Sequence, residues 1–137
     1  MSRVLVLDAE ALSSLARQRG QRAREVRAAL EAARRLRREV VTPAVILAEV
    51  YRGPGHNQVV DACLSRETGI FVRDTDRELA RLVGGVLTAA RADSTALADA
   101  HAVAAAVEAG GGVVVTGDES DIERLAATYP NVHVSTI

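Results

Sequence analysis

Four carboxylates stand where this chain has little reason to place charge. Asp8 follows the apolar run "VLVL", and Asp118 follows "GVVVT". Glu49 lies four residues after Val45 and three after Ile46, so a helix would put all three on one face. Asp99 shares its helical face with Ala102, Val103 and Ala106. A carboxylate on an apolar stripe is costly unless it is paired or bound to a cation. Taken singly, each of these acids has a plain explanation as a helix cap or a rim salt bridge, with Arg52 and Arg91 as nearby partners. Taken together, they point elsewhere. Two carboxylates ~4 Å apart repel by about 4 kcal/mol at an effective dielectric near 20, so four converging acids call for a cation. All-oxygen ligation suits Mg²⁺ or Mn²⁺ rather than zinc. A cation so held can polarise a phosphodiester and lower the pKa of a bound water for attack.

The elements that would position these acids follow from the hydrophobic pattern. "VLVL" (4–7), "VVTP" (40–43), "GIFV" (69–72), "GVVVT" (112–116) and "VHVST" (132–136) are short, apolar or β-branched, and read as strands. Helical stretches separate them. The first is stopped by Gly20; the second carries the stripe Ala23, Val26, Leu30 and Ala33. Thr42 is expected to cap the helix after "VVTP", with Pro43 at its first position. "PGHN" (54–57) reads as a turn, Gly84–Gly85 as a weak point in a helix, and the Ala-rich segment up to Gly110 as a strong helix. Strands alternating with helices imply a parallel sheet covered on both faces. Sites in such sheets form at the carboxyl ends of the strands, which places Asp8 and Asp118 on one edge.

Composition bounds the rest. The 137 residues, 48% of them apolar, suit a single folded domain over 1–137. No apolar run nears the ~20 residues of a membrane span, the N-terminal run is too short for a signal-peptide core, and the lone Cys63 excludes an internal disulfide. A cytoplasmic protein is expected. All seventeen basic residues are Arg, which excludes lysine-dependent chemistry such as Schiff-base formation or a P-loop. Ten of those Arg and four acids fall in residues 1–38, a balance of +6, against seven Arg and fourteen acids, a balance of −7, in 39–137. Only Tyr51, Phe71 and Tyr129 are aromatic, too few for a base-stacking platform.

Four blocks now carry a family resemblance: "VLVLDAEAL" with Asp8, "TPAVILAEVYRG" with Glu49, "ADAHAVAAAVEAGGG" with Asp99, and "VVTGDESDIERL" with Asp118 and Asp121. In this order and spacing they resemble the PIN domain, and within it the VapC-type ribonuclease toxins of toxin–antitoxin pairs. The resemblance covers residues 4–135. It implies a three-layer α/β/α sandwich with a short central parallel sheet, and a Mg²⁺- or Mn²⁺-dependent endoribonuclease. Asp8, Glu49, Asp99 and Asp118 would be its metal ligands, and Asp121 an outer or second-metal acid. Thr116 would orient the loop or a metal-bound water. A homodimer, an RNA substrate and a cognate antitoxin that inserts into the acidic groove are implied as well.

Glu10 departs from the family pattern, and is expected either to face solvent or to add charge to the site. Asp93 is placed as a cap before the Asp99 helix, with an approach to the metal as the other reading. Arg24, Arg27, Arg34 and Arg38 are weak candidates for RNA phosphates against a plain solvated face. His56, His101 and His133 form no ligand pair. Two other functions compete with the nuclease: a catalytically silent PIN-like module that only binds a partner, and an aspartyl-phosphate phosphatase, which the absence of lysine opposes.

Overall fold

The computed structural model describes residues 3–137. Five strands, β1 (Val4–Leu7), β2 (Val40–Pro43), β3 (Ile70–Arg73), β4 (Gly112–Thr116) and β5 (Val132–Thr136), form one sheet. Its order is β3-β2-β1-β4-β5 and every pairing is parallel. The helices are α1 (Ala9–Arg17), α2 (Gln21–Arg35), α3 (Ala44–Val50), α4 (Pro54–Arg66), α5 (Arg77–Ala90), α6 (Leu97–Glu108) and α7 (Glu119–Ala126). The architecture is the expected α/β/α sandwich.

Alternation along β1 divides the core. Val4 and Val6 face a cluster with Leu79, Val83 and Val86 of α5, the alanines of α6, and Ile122 and Leu125 of α7. Leu5 and Leu7 face the other cluster, with Leu12 and Leu15 of α1, Val26 and Leu30 of α2, Ile46 of α3 and Val60 of α4. α6 is buried on nearly every side from Ala98 to Ala106, which explains its small residues: alanine lets the helix lie close to the sheet without excess volume. β1 and β4 also approach closely. A Cβ on Gly112 would collide with the Val4 carbonyl oxygen, so no larger residue fits there without backbone movement.

The chain builds β1, β2 and β3 outward in one direction, then crosses back to add β4 and β5 on the other side of β1. The winding therefore reverses between β1 and β4. In open α/β sheets the crevice at such a reversal, beyond the carboxyl ends of the strands, is where ligands bind. Asp8 and Gly117–Asp118 are the residues that leave those two strands.

Two local expectations are corrected, and the helix expected around Gly84–Gly85 is found. Thr42 does not cap α3; Pro43 holds that position, and the Thr42 hydroxyl donates to the Leu7 carbonyl at 3.1 Å, tying β2 to β1. "PGHN" is not a turn but the first turn of α4, with Pro54 at the position where a missing N–H costs nothing. α5 runs unbroken through Gly84–Gly85, where Thr88 donates its hydroxyl to the Gly84 carbonyl; tertiary burial of Leu79, Val83 and Val86 outweighs the glycine penalty.

Candidate active site

Asp8 lies at the C-terminal end of β1 and caps α1, accepting a hydrogen bond from the Ala11 N–H at 2.8 Å. It is only 3% exposed. Burial raises the pKa of its carboxyl, and Glu10 nearby pushes the same way, against hydrogen bonds from Thr116, Ala11 and Gly117. Thr116, fully buried at the end of β4, does two things. Its Oγ1 accepts from the Asp118 N–H at 2.8 Å, and its hydroxyl serves Asp8. One threonine thus links the two strand-end acids.

Asp118 caps α7 and accepts from the Asp121 N–H at 3.4 Å. The Asp118 carboxylate, by hydrogen bond and by charge, raises the pKa of Asp121. Asp99 enters from the first turn of α6. Burial first, then the charges of Asp8, Glu49, Asp121 and Asp118 in that order, push its pKa up to about 6. All five acids of the sequence pattern are therefore within electrostatic reach of one side chain.

Among the described residues no guanidinium forms an ion pair with this group, although the charge of Arg124 acts on Asp121. Among the described residues, the ion pairs involve Glu10, Glu67, Asp76 and Glu108, and none of these five acids. The two arginines considered as partners are otherwise engaged or apart. Arg52 donates to the Ala48 and Tyr51 carbonyls at 2.7 Å each, and Arg91 ends α5 in a left-handed conformation. Arg124, near Asp121, reaches the Ala90 and Arg91 carbonyls. Among the described residues no three His, Cys, Asp or Glu side chains are drawn together tightly enough to hold one ion on their own.

The remaining candidates fall as follows. Glu49 is exposed on α3, not on its core-facing stripe, which consists of Ile46 and Val50. It opens onto a depression of about 280 Å³ that also includes Glu10, Arg17, Arg52 and His56. Asp93 caps a short 3-10 turn, Ser94–Ala96, and is held by the Thr95 hydroxyl and N–H, which lower its pKa. Its carboxylate is thereby committed to Thr95. A smaller depression, about 130 Å³, holds Asp99, Asp121, Thr95 and Arg124. Of the four arginines proposed for RNA, Arg27 and Arg34 are bonded to the buried Glu67 at 2.8 and 3.3 Å, and Arg24 to Gln21. Arg38 lies half-buried past the end of α2.

Glu10 is exposed and its charge also acts on Asp8. Its side chain lies over Gly117, where an added Cβ would come within 2.8 Å of the Glu10 Cβ. Arg22 holds its carboxylate at 2.8 Å. The spacing "DAE" placed Glu10 on the first turn of α1, but only the β1–β4 adjacency shows what it packs against.

The family model of the PIN domain matches residues 5–127, and the chain belongs to the PIN domain family. No curated protein matches it. Among solved structures, it is similar to the VapBC2 complex of Rickettsia felis bound to a DNA fragment from its promoter. That match has a TM-score of 0.69 and 16% identity, and covers 98% of each chain. A toxin–antitoxin complex from Klebsiella pneumoniae matches with a TM-score of 0.65 and 18% identity, over 93% of this chain and 94% of that one.

Proposed function

We propose that this protein is a divalent-metal-dependent endoribonuclease, acting as the toxin of a toxin–antitoxin pair. One observation carries the reading. Asp99 binds its proton far more tightly than an ordinary aspartate because it is half-buried and four other carboxylates crowd it, with no arginine ion-paired to any of them among the described residues. Such an arrangement is unfavourable by itself and becomes favourable when a cation enters.

The donor chemistry fits Mg²⁺ or Mn²⁺. Every candidate ligand is a carboxylate oxygen, and Mg²⁺ commonly takes one or two carboxylates directly and keeps waters in the rest of its shell. Asp8, Asp99, Asp118 and Glu49 would hold it, with Asp121 outside them. When bound, the ion supplies Lewis-acid polarisation of a phosphate oxygen and an acidified water. The protein's own part is positional. Ala11, Thr116 and Gly117 fix the Asp8 carboxylate by hydrogen bonds. Thr116 sets the spacing of Asp8 and the Asp118 loop. The half-buried Asp99, crowded by the other carboxylates, is a side chain whose charged form a bound cation would favour.

The toxin assignment is supported by the two structural neighbours, VapBC2 of Rickettsia felis and a toxin–antitoxin complex of Klebsiella pneumoniae. A cognate antitoxin would cover the acid groove, and a homodimer is the assembly that this reading carries. The test is cleavage of single-stranded RNA with Mg²⁺ or Mn²⁺ by the wild type and by Asp8→Asn, which keeps the cap on α1. Cleavage that requires the metal and is abolished in the variant is expected; equal cleavage by both would refute the role of the acids.

A further inference from the structure

We propose that the N-terminus of α2 is a phosphate subsite that grips the backbone of a single-stranded RNA away from the cleavage point. The inference rests on the nuclease reading above and extends it to the path of the substrate.

The observation begins with a depression of about 260 Å³ formed by Ser14, Arg17, Arg19, Gly20, Gln21 and Arg22. It lies where α1 turns into α2. Gly20 precedes α2 with φ +92°, contributes no capping side chain, and the first turn holds no acid. The leading N–H groups of a 15-residue helix therefore lack a side-chain partner on an end that attracts anions. The surrounding charge is of the matching sign. Arg19 is exposed and bonded to no acid among the described residues; Arg17 donates only to the Ser13 hydroxyl. Arg22 sits between this depression and Glu10.

A second, independent feature points to a ligand here. Ser14 is 3% exposed, and its Oγ is buried with no hydrogen-bond partner. A buried hydroxyl left unpaired is unfavourable, and Ser14 lines this same depression. A phosphate oxygen would supply an acceptor for that hydroxyl, for the free N–H groups and for the guanidinium groups at once.

The subsite is also continuous with the acid centre. Arg17 borders both this depression and the one that contains Glu49 and Glu10. A strand leaving the carboxylates past Glu49 would therefore pass Arg17 and reach the α2 N-terminus. This is a different set of arginines from those on the flank of α2, two of which are taken by Glu67. Guanidinium groups suit a phosphodiester because they present paired donors to its oxygens.

The experiment measures binding, not cleavage. The full chain in EDTA is titrated with a mixed-sequence single-stranded RNA of about twelve nucleotides at several salt concentrations. Removing one phosphate-binding cation should reduce the slope of log K against log salt by about 0.7 for a single strand. Arg19→Ala is expected to show that reduction, and Arg19→Lys to restore most of it. Arg35→Ala removes the same charge at the far end of α2, roughly 20 Å away by the 1.5 Å rise per residue, and is expected to leave the slope unchanged. Ser14→Ala is expected to weaken RNA binding while the thermal midpoint stays level or rises. Equal slopes for wild type, Arg19→Ala and Arg35→Ala would overturn the subsite while leaving the nuclease reading standing. A wild type that neither binds nor cuts RNA would overturn both. RNA binding unchanged by Arg19→Ala, with loss of binding to an acidic antitoxin segment instead, would assign the site to protein and refute the RNA proposal.

Discussion

Replacing Asp99 by Asn should make the metal-free protein more stable at neutral pH. The reason is the proton affinity of the native carboxyl, raised from 3.8 to about 6. Between those values the native state binds more protons than the unfolded chain, so the stability contributed by protonated Asp99 is complete below pH about 4. It is lost as pH rises to about 6, and then levels off. At about 1.36 kcal/mol per tenfold change in proton affinity, the upper limit is about 3 kcal/mol. Asp99 is half-buried, not sealed from water, and screening reduces this to about 1.5 kcal/mol. Loss of a negative charge from the first turn of α6 takes back about 0.5 kcal/mol. The net gain at pH 7.5 is about 1 kcal/mol, a rise of about 3 °C in Tm for a domain of this size. Thermal melts of both proteins in EDTA, from pH 4 to 7.5, test this. The curves should separate as pH rises, with part of the pH dependence kept in the variant because burial also raises the pKa of Asp8. Adding Mn²⁺ should then raise the Tm of the wild type more than that of the variant, since only a ligand that binds the native state shifts its stability. A variant that melts lower than wild type at pH 7.5 in EDTA, or by an equal margin at pH 4 and 7.5, would refute the claim that the acids crowd Asp99.

Three further perturbations read other parts of the same structure. Asp8→Ala should lose about 1 kcal/mol more stability than Asp8→Asn in chemical denaturation, because only Asn retains an acceptor for the Ala11 N–H; equal midpoints would deny the cap. Gly117→Ala forces a Cβ to within 2.8 Å of the Glu10 Cβ, and should cost about 1–3 kcal/mol by overpacking. RNA cleavage should fall with it, and a wild-type denaturation midpoint would show that Glu10 does not lie over the loop. Glu67→Ala removes the acid shared by Arg27, Arg34 and Arg66, and should destabilise by about 1–2 kcal/mol, between the values for exposed and buried pairs. Its RNA affinity should match or exceed that of wild type, because the freed arginines add positive charge; weaker RNA binding by a folded variant would place Glu67 in the substrate path.

The hydrophobic pattern alone determined the five strands, the alternation with helices and hence a parallel sheet, because strand and helix periods are local properties of the chain. It also placed Asp8 and Asp118, since a residue that ends a buried strand must emerge at that strand's carboxyl edge. Asp99 was legible as an acid beside three residues that proved fully buried, Ala102, Val103 and Ala106. Glu49 was misjudged: its helical spacing from Ile46 is real, but α3 turns it outward, because the orientation of a short helix is set by its neighbours. The arginines show the same limit. Arg27 and Arg34 are separated from Glu67 by 40 and 33 residues, and Arg17, Arg19 and Arg22 form a pocket only because the chain bends at Gly20. Which charges meet depends on how helices dock across the sheet, and no local period records that.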